Sequence, residues 1–189
     1  MTSLSNFDHL LTIEEWEQLT DDEYRHAELV EGVLQVSPSA GVPHQLVSFG
    51  LSMQLAPVCG PLGLVPLADL DVLIDPSFPA TIRQPDISVV PLATANQRSK
   101  RLDRSDVVLA IEIVSPGSGR RDRVMKLHEY AGAGIGNYWI FDIDGPAIIL
   151  DAFALDGATY RSVAQAAGGS VALDAPFAIT LDLAALRAW

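Results

Sequence analysis

Cysteine and basic residues are scarce in this sequence of 189 residues, and long apolar runs are missing. The single cysteine, Cys59, cannot form a disulfide within the chain, which indicates a reducing compartment. No run approaches the roughly 18 apolar residues of a membrane span. The first twenty residues lack the basic start and apolar core of a secretory signal. We therefore expect a soluble, cytoplasmic protein with no membrane partner.

Several catalytic motifs are also missing. The sequence has no P-loop, no Gly-x-Ser-x-Gly around a serine nucleophile and no Cys/His cluster with zinc spacing. Gly132, Gly134 and Gly136 alternate, but they follow a predicted helix rather than a strand, so they are not a dinucleotide fingerprint. Nucleophilic, zinc-dependent and nucleotide-dependent catalysis are therefore unsupported.

What is present is typical of one packed domain. Hydrophobic residues make up 49% of the chain and charged residues 19%, which excludes disordered and disulfide-scaffold classes. A chain of this length buries about 70% of its unfolded surface without staples. We predict a single domain over residues 1–189.

The charge balance argues against nucleic acid until it is resolved by position. There are 12 Lys and Arg against 24 Asp and Glu, a net charge of -12. Residues 98–126 hold eight of the basic residues and four acidic ones, and are therefore net +4. This segment is either a solvated face that offsets local acids or a patch that faces phosphate. In the second interpretation, the phosphate-binding side chains are Arg120, Arg121 and Arg123.

The first half of the chain predicts two helices, a hairpin and two strands. Thr12 and Glu15 have the spacing of a capping box, and residues 28–36 fit a hairpin. A helix over residues 43–59 is predicted to bury Leu46, Phe49, Met53 and Ala56. Apolar and acidic residues alternate around 70–74, and a mostly apolar segment follows at 86–90. The two patterns predict two neighbouring strands.

The second half predicts an α/β arrangement with some parallel pairing. Residues 107–114 are nearly all apolar and form the expected centre of the sheet. A helix over 119–131 follows, and strands are expected at 138–142, 148–154 and 159–163. The strand, helix, strand order implies a right-handed crossover between parallel strands.

Two carboxylates stand out because each belongs to an apolar strand. Glu112 lies within the central strand and Asp86 begins the strand 86–90. A buried unpaired carboxylate is costly, so each must be exposed at a strand end, ion-paired or bound to metal. If the two converge, their oxygen atoms suit Mg²⁺ or Mn²⁺. Pairing of each with a nearby arginine is the structural alternative.

The helix after Glu112 carries a polar stripe of Arg123, Lys126 and Tyr130 that can face the carboxylates. Lys126 would place a positive charge near a phosphate or a metal-bound water, or would pair with Asp122 one turn earlier. His44, near a helix start, is a candidate metal ligand, general base or surface histidine.

Several segments together resemble the Uma-type family of putative restriction endonucleases. They cover nearly the whole chain, and their order and spacing carry the resemblance: residues 26–32, 37–38, 44–45, 84–90, 111–118, 121–126, 130–134 and 138–142.

The resemblance implies the PD-(D/E)xK nuclease fold, a mixed β-sheet flanked by helices, with a divalent-metal site that hydrolyses DNA. It implies Asp86 and Glu112 as metal ligands and Glu28 as a further catalytic acid. The superfamily lysine two residues after the second acid is replaced here by Val114, and the family pattern puts Lys126 in its role. Gln84, Tyr130 and His44 are expected to support the site, with Mg²⁺ or Mn²⁺ as cofactor.

Three functions remain open from the sequence. The leading one is a metal-dependent DNA endonuclease, which superfamily members suggest is a homodimer. The others are a non-catalytic interaction protein that retains the nuclease fold and a metal-dependent hydrolase of another phosphoester.

Overall fold

The computed structural model describes residues 7–19, 27–36, 39–97, 99–114 and 120–187, with the side chains of residues 120–123 left out. The helices are α1 (Ile13–Gln18), α2 (Val42–Cys59), α3 (Leu92–Ala95) and α4 (Arg120–Gly132). Short 3-10 turns lie at Gly60–Leu62, Arg104–Asp106 and Ala185–Arg187. The strands are β1 (Ala27–Val30), β2 (Val33–Val36), β3 (Leu64–Ala68), β4 (Val72–Asp75), β5 (Thr81–Arg83), β6 (Ile87–Pro91), β7 (Leu102–Asp103), β8 (Leu109–Val114), β9 (Asn137–Asp142), β10 (Ile149–Asp156), β11 (Thr159–Ala167), β12 (Ser170–Leu173) and β13 (Ile179–Asp182).

The strands and helices together form a mixed α+β architecture, as the sequence predicts. The main sheet has the order β11-β10-β9-β8-β6-β3, and the first sheet the order β2-β1-β5-β4-β7. β12 and β13 form a separate antiparallel pair. β8 lies inside the main sheet and pairs in parallel with β9, the strand that follows helix α4 in the sequence, so the predicted parallel pairing is confirmed.

The two faces of β8 belong to different cores. Leu109, Ile111 and Ile113 pack with α2 and the β12-β13 pair, whereas Ala110 packs with Tyr130 of α4. Since successive strand residues alternate between faces, Glu112 lies on the α4 face. The second core also includes Val72 and Ile74 of β4, so α4 packs between the main sheet and the first sheet.

The N-terminal elements cover the other side of the first sheet. In α1 the predicted capping box is present, because Thr12 Oγ1 accepts from Glu15 N at 3.2 Å and Glu15 Oε2 accepts from Thr12 N at 2.9 Å. The β1-β2 hairpin turns at Gly32, whose φ is +76°. A Cβ at Gly32 would lie 2.8 Å from Leu10 Cβ, so only glycine fits this turn.

Helix α2 forms where predicted but presents the opposite face. Its buried side chains include Val47, Leu51, Leu55 and Cys59, in one row along the helix. The predicted core residues lie elsewhere: Phe49 is 57% exposed, Met53 is 58% exposed, Ala56 is exposed and Leu46 is half-buried. The helix contains no charged residue, so charge does not mark its outer face.

One strand pairing differs from the prediction. The strand around residues 72–75 and the strand 87–91 are not neighbours, because they belong to different sheets. β5 forms between them in the sequence and pairs with β4, while β6 lies between β3 and β8. Within the described residues, no helix is long and apolar enough to cross a membrane.

Candidate active site

Adjacent strands of the main sheet bring Asp86 and Glu112 to one place. Asp86 immediately precedes β6, and Ile87 pairs with Ile111 of β8. Asp86 Oδ2 accepts a hydrogen bond from Ile113 N at 2.5 Å. The Asp86 carboxylate is thus hydrogen-bonded to the backbone of the residue that follows Glu112.

Helix α4 carries a lysine and a tyrosine that both donate hydrogen bonds to Glu112. Lys126 Nζ and Tyr130 Oη each donate to Glu112 Oε1 at 2.8 Å. The side chains of Glu112 and Lys126 are only 12% and 15% exposed, so this is a buried pair. The side chain of Asp122, the alternative partner of Lys126, lies outside the described residues.

The first sheet contributes Glu28 and an arginine that sequence reasoning missed. Lys126 Nζ lies 3.0 Å from Glu28 Oε1, so one lysine bridges carboxylates of both sheets. Arg83 Nη1 donates to Glu28 Oε2 at 2.7 Å. Arg83 also donates through Nε and Nη2 to the two oxygens of Glu129 on α4, both at 2.7 Å.

A second layer of polar side chains lies beside Glu28. Gln84 N donates to Glu28 Oε1 at 3.1 Å, and Gln84 Nε2 donates to Asp71 Oδ1 at 3.3 Å. Asp71 Oδ2 accepts from Trp16 Nε1 at 3.1 Å. Gln84 therefore connects the carboxylate cluster to α1 and stays at its edge.

His44 belongs to the cluster rather than to the surface. It lies in the first turn of α2 and is buried, and its Nε2 lies 3.1 Å from Asp86 Oδ1. Burial favours the neutral imidazole, but the hydrogen bond to Asp86 and the attraction of nearby carboxylates together outweigh it and raise the pKa of His44. The surface interpretation of this residue is wrong.

The charges of the site depend strongly on one another. Burial raises the pKa of Glu112 to about 7, against the attraction of Lys126 and with further repulsion from Asp86 and Glu28. Burial also disfavours the charged forms of Glu28 and Lys126, yet their opposite charges outweigh it. As a result, the pKa of Glu28 is lowered and the pKa of Lys126 is raised.

Arg83 and Tyr130 are shifted for related reasons. Burial opposes the charge on Arg83, but its hydrogen bonds and attraction to Glu129 and Glu28 raise its pKa. Burial and the nearby charge of Glu112 raise the pKa of Tyr130. Both residues therefore act as hydrogen-bond donors at neutral pH.

The donor set suits a hard divalent cation. Asp86 and Glu112 offer carboxylate oxygens, and the repulsion that adds to burial in raising the pKa of Glu112 is the kind that a cation relieves. Among the described side chains, no three or more of His, Cys, Asp and Glu are grouped as a metal site. Two carboxylates leave the remaining positions to water or phosphate, as is usual for Mg²⁺.

The predicted residues divide into two groups. Glu28, Asp86, Glu112, Lys126, Tyr130, His44 and Gln84 meet in one connected cluster. The side chains of Arg120, Arg121 and Arg123 lie outside the described residues, so their role in binding phosphate stays a prediction.

The missed residues had a weak signal in the sequence. Arg83 ends the three-residue buried strand Thr81-Ile82-Arg83, directly before the Gln84-Pro85-Asp86 motif, where a charged residue needs partners. Its partner Glu129 lies 46 positions later, which local spacing cannot connect.

Comparison with known proteins shows the family of the chain and a similar fold. A model of the family described as Uma2, putative restriction endonuclease, matches residues 13–185. The fold is similar to the crystal structure of a putative nuclease belonging to DUF820 from Anabaena variabilis, with a TM-score of 0.67. The two chains are 18% identical, over 95% of this chain and 98% of that one. No curated protein matches the chain.

Proposed function

This chain belongs to the Uma-type family of putative restriction endonucleases, and from that premise we propose that it hydrolyses DNA phosphodiester bonds with Mg²⁺ or Mn²⁺. The observation that carries the proposal is the buried contact between Lys126 and Glu112. Glu112 lies on β8, which pairs with the strand that Asp86 precedes. We propose one domain over residues 1–189, which the extent of the family match supports.

Asp86 and Glu112 would hold the cation. When bound, it polarises the scissile phosphate and lowers the pKa of an attacking water. Asp86 is held by Ile113 N, and Glu112 is oriented by the Tyr130 hydroxyl. Both carboxylates therefore keep their positions without rearrangement of the backbone.

Lys126 would act as a fixed positive charge rather than as a base. Its pKa is raised by Glu112 and Glu28, so Nζ keeps its proton at neutral pH. A protonated amine beside the metal ligands can donate to a phosphate oxygen and stabilise the charge that develops during hydrolysis. Arg120, Arg121 and Arg123 would bind flanking phosphates.

The first test removes the metal ligands without changing side-chain size. We expect Asp86→Asn and Glu112→Gln each to reduce Mg²⁺-dependent cleavage of plasmid DNA by at least about a hundredfold, because even groups that only orient metal ligands are worth 10 to 100-fold. Asp156→Asn, at an exposed ion pair, is the control. Cleavage at the wild-type rate by either ligand variant would refute the site.

The other two functions are separated by binding rather than by cleavage. A metal ion that binds only the folded chain raises its melting temperature. No shift with millimolar Mn²⁺ would favour a non-catalytic interaction protein. A shift without salt-dependent DNA binding would favour another phosphoester as substrate.

We also propose that the protein is a homodimer that pairs through α2. Val42, Leu46, Phe49, Met53 and Ala56 recur at intervals of four and three residues, the spacing with which helices pack together. Val42 is 73% exposed, and α2 has no charged residue. Two chains of net charge -12 repel each other, and this uncharged face lets them approach.

Light scattering after size-exclusion chromatography tests the dimer. We expect the wild type to have twice the mass of one chain and Met53→Glu to have the mass of one. Val163→Glu, on the edge strand β11, should remain dimeric. Dissociation by Val163→Glu alone would assign the interface to the sheet edge instead.

A further inference from the structure

We propose that Glu28 anchors Lys126 instead of binding metal, that Arg83 keeps it in that role, and that the site consequently takes a single divalent cation. This inference rests on the proposed metal-dependent function. It goes further in assigning different tasks to the three acidic residues, since Asp86 and Glu112 bind the ion and Glu28 does not.

Both oxygens of Glu28 are already engaged. Oε2 accepts from Arg83 Nη1 at 2.7 Å. Oε1 accepts from Gln84 N at 3.1 Å and lies 3.0 Å from Lys126 Nζ. The oxygens of Asp86 also have partners, but those are His44 and the backbone N–H of Ile113, whereas Glu28 holds the cations Arg83 and Lys126. If Glu28 turned toward a metal ion, it would leave two buried positive charges with one carboxylate fewer.

Arg83 is placed to hold Glu28 there. Leu29 of β1 pairs with Ile82 of the antiparallel strand β5, which puts Glu28 beside Arg83 across the two strands. The Arg83 side chain is 5% exposed, and its other two donating nitrogens bind Glu129. The Glu129 pair fixes the plane of the guanidinium, so the two N–H bonds of Nη1 have fixed directions and one of them meets Glu28.

The charge balance points to one ion. With His44 neutral and all four carboxylates ionised, the state in which a cation would bind, the cluster contains two cations, Arg83 and Lys126, and four carboxylates, Glu28, Asp86, Glu112 and Glu129. Two negative charges are therefore left over, and one divalent cation neutralises them. Asp71, which accepts from Trp16 and Gln84, stands outside these ion pairs.

A titration with Mn²⁺ measures the stoichiometry and affinity of binding without cleavage. The electron paramagnetic resonance signal reports the concentration of free ion. We expect one Mn²⁺ per wild-type chain. Glu28→Gln should still bind one ion with a dissociation constant within about threefold of wild type. Asp86→Asn should weaken binding at least tenfold, and Asp156→Asn is the exposed control.

The anchoring role is measured separately in metal-free protein. A double-mutant cycle of Glu28→Gln and Arg83→Gln compares the unfolding equilibrium constant of the double variant with the value obtained by multiplying the two single effects. We expect these two values to differ at least fivefold. Arg83→Lys keeps the charge without the fork and provides a milder variant if Arg83→Gln folds poorly. Additive effects would overturn the anchoring.

The outcomes separate this inference from the proposed function. Two Mn²⁺ ions in the wild type, one of them lost in Glu28→Gln, would overturn the inference and leave a metal-dependent enzyme. Equal weakening by Glu28→Gln and Asp86→Asn would overturn it too. No Mn²⁺ bound by the wild type at millimolar concentration would overturn the single-ion site together with the proposed function, while the cycle would still decide the role of Glu28.

Discussion

Glu112 is the residue whose charge state controls the proposed site. Its pKa of about 7 means that protons compete with a metal ion for it near neutral pH. We expect the Mn²⁺ dissociation constant to be roughly tenfold higher at pH 6 than at pH 8, since at pH 6 about nine-tenths of Glu112 would be protonated. Isothermal titration calorimetry checks this, and a constant affinity over this range would contradict it.

The same shift predicts how the metal-free protein responds to pH. The pKa of Glu112 is higher in the folded chain than its ordinary value of 4.5, so the folded state binds the proton more tightly. This residue therefore lowers the free energy of unfolding as the pH rises from about 4.5 to 7. Urea unfolding at pH 5 and pH 8 should show Glu112→Gln gaining stability relative to wild type at pH 8.

A comparison of Tyr130 with Tyr160 distinguishes a hydroxyl group that supports the site from one that supports only the core. Its hydroxyl donates to Glu112 at 2.8 Å, while that of Tyr160 donates to Ile135 O at 2.7 Å, away from the cluster. Removing either hydroxyl should cost about 1 kcal/mol of unfolding free energy by urea titration. Only Tyr130→Phe should also weaken Mn²⁺ binding, and an equal effect of Tyr160→Phe would contradict this.

The residues of the site were largely predictable because buried carboxylates are rare enough to be noticed. Asp86 and Glu112 interrupt apolar strands, and Lys126 lies on the helix that follows. Arg83 and Glu129 were not predictable, because their contact depends on how α4 packs against the first sheet.

At the scale of elements, α2 shows where periodicity fails. Its apolar residues form two rows, and a helix without charged residues gives no sign of which row faces water. Strand pairing failed for a related reason, since β5 has only three residues and was not recognised between β4 and β6. Helix α4 was located well because a strand precedes it and glycines follow it.

Paired substitutions in α2 test the assignment of its faces. Leu55 is fully buried, so Leu55→Ala should reduce the unfolding free energy by about 2–5 kcal/mol. Met53→Ala, two positions away and mostly exposed, should cost no more than about 0.5 kcal/mol at a protein concentration low enough to dissociate the proposed dimer. Chemical denaturation measures both, and a larger loss for Met53→Ala would reverse the faces.

For the whole molecule, the net charge of -12 limits how DNA can bind. If Arg120, Arg121 and Arg123 supply three phosphate contacts, affinity should fall about fortyfold between 50 and 200 mM salt. Replacing all three by Gln should flatten this dependence, whereas Arg161→Gln, at an exposed ion pair, should not. Fluorescence anisotropy with a labelled duplex measures the slopes, and equal slopes would contradict the assignment.

The position of α4 between the two sheets has a consequence for synthesis of the protein on the ribosome. Lys126 contacts Glu28 of the first sheet and Glu112 of the main sheet, so neither sheet alone completes the cluster. A nascent chain that ends before α4 carries Asp86 and Glu112 but lacks the lysine and tyrosine that contact Glu112. A chain whose translation stops before α4 therefore lacks part of the cluster, and under the proposed function it would be inactive as a nuclease.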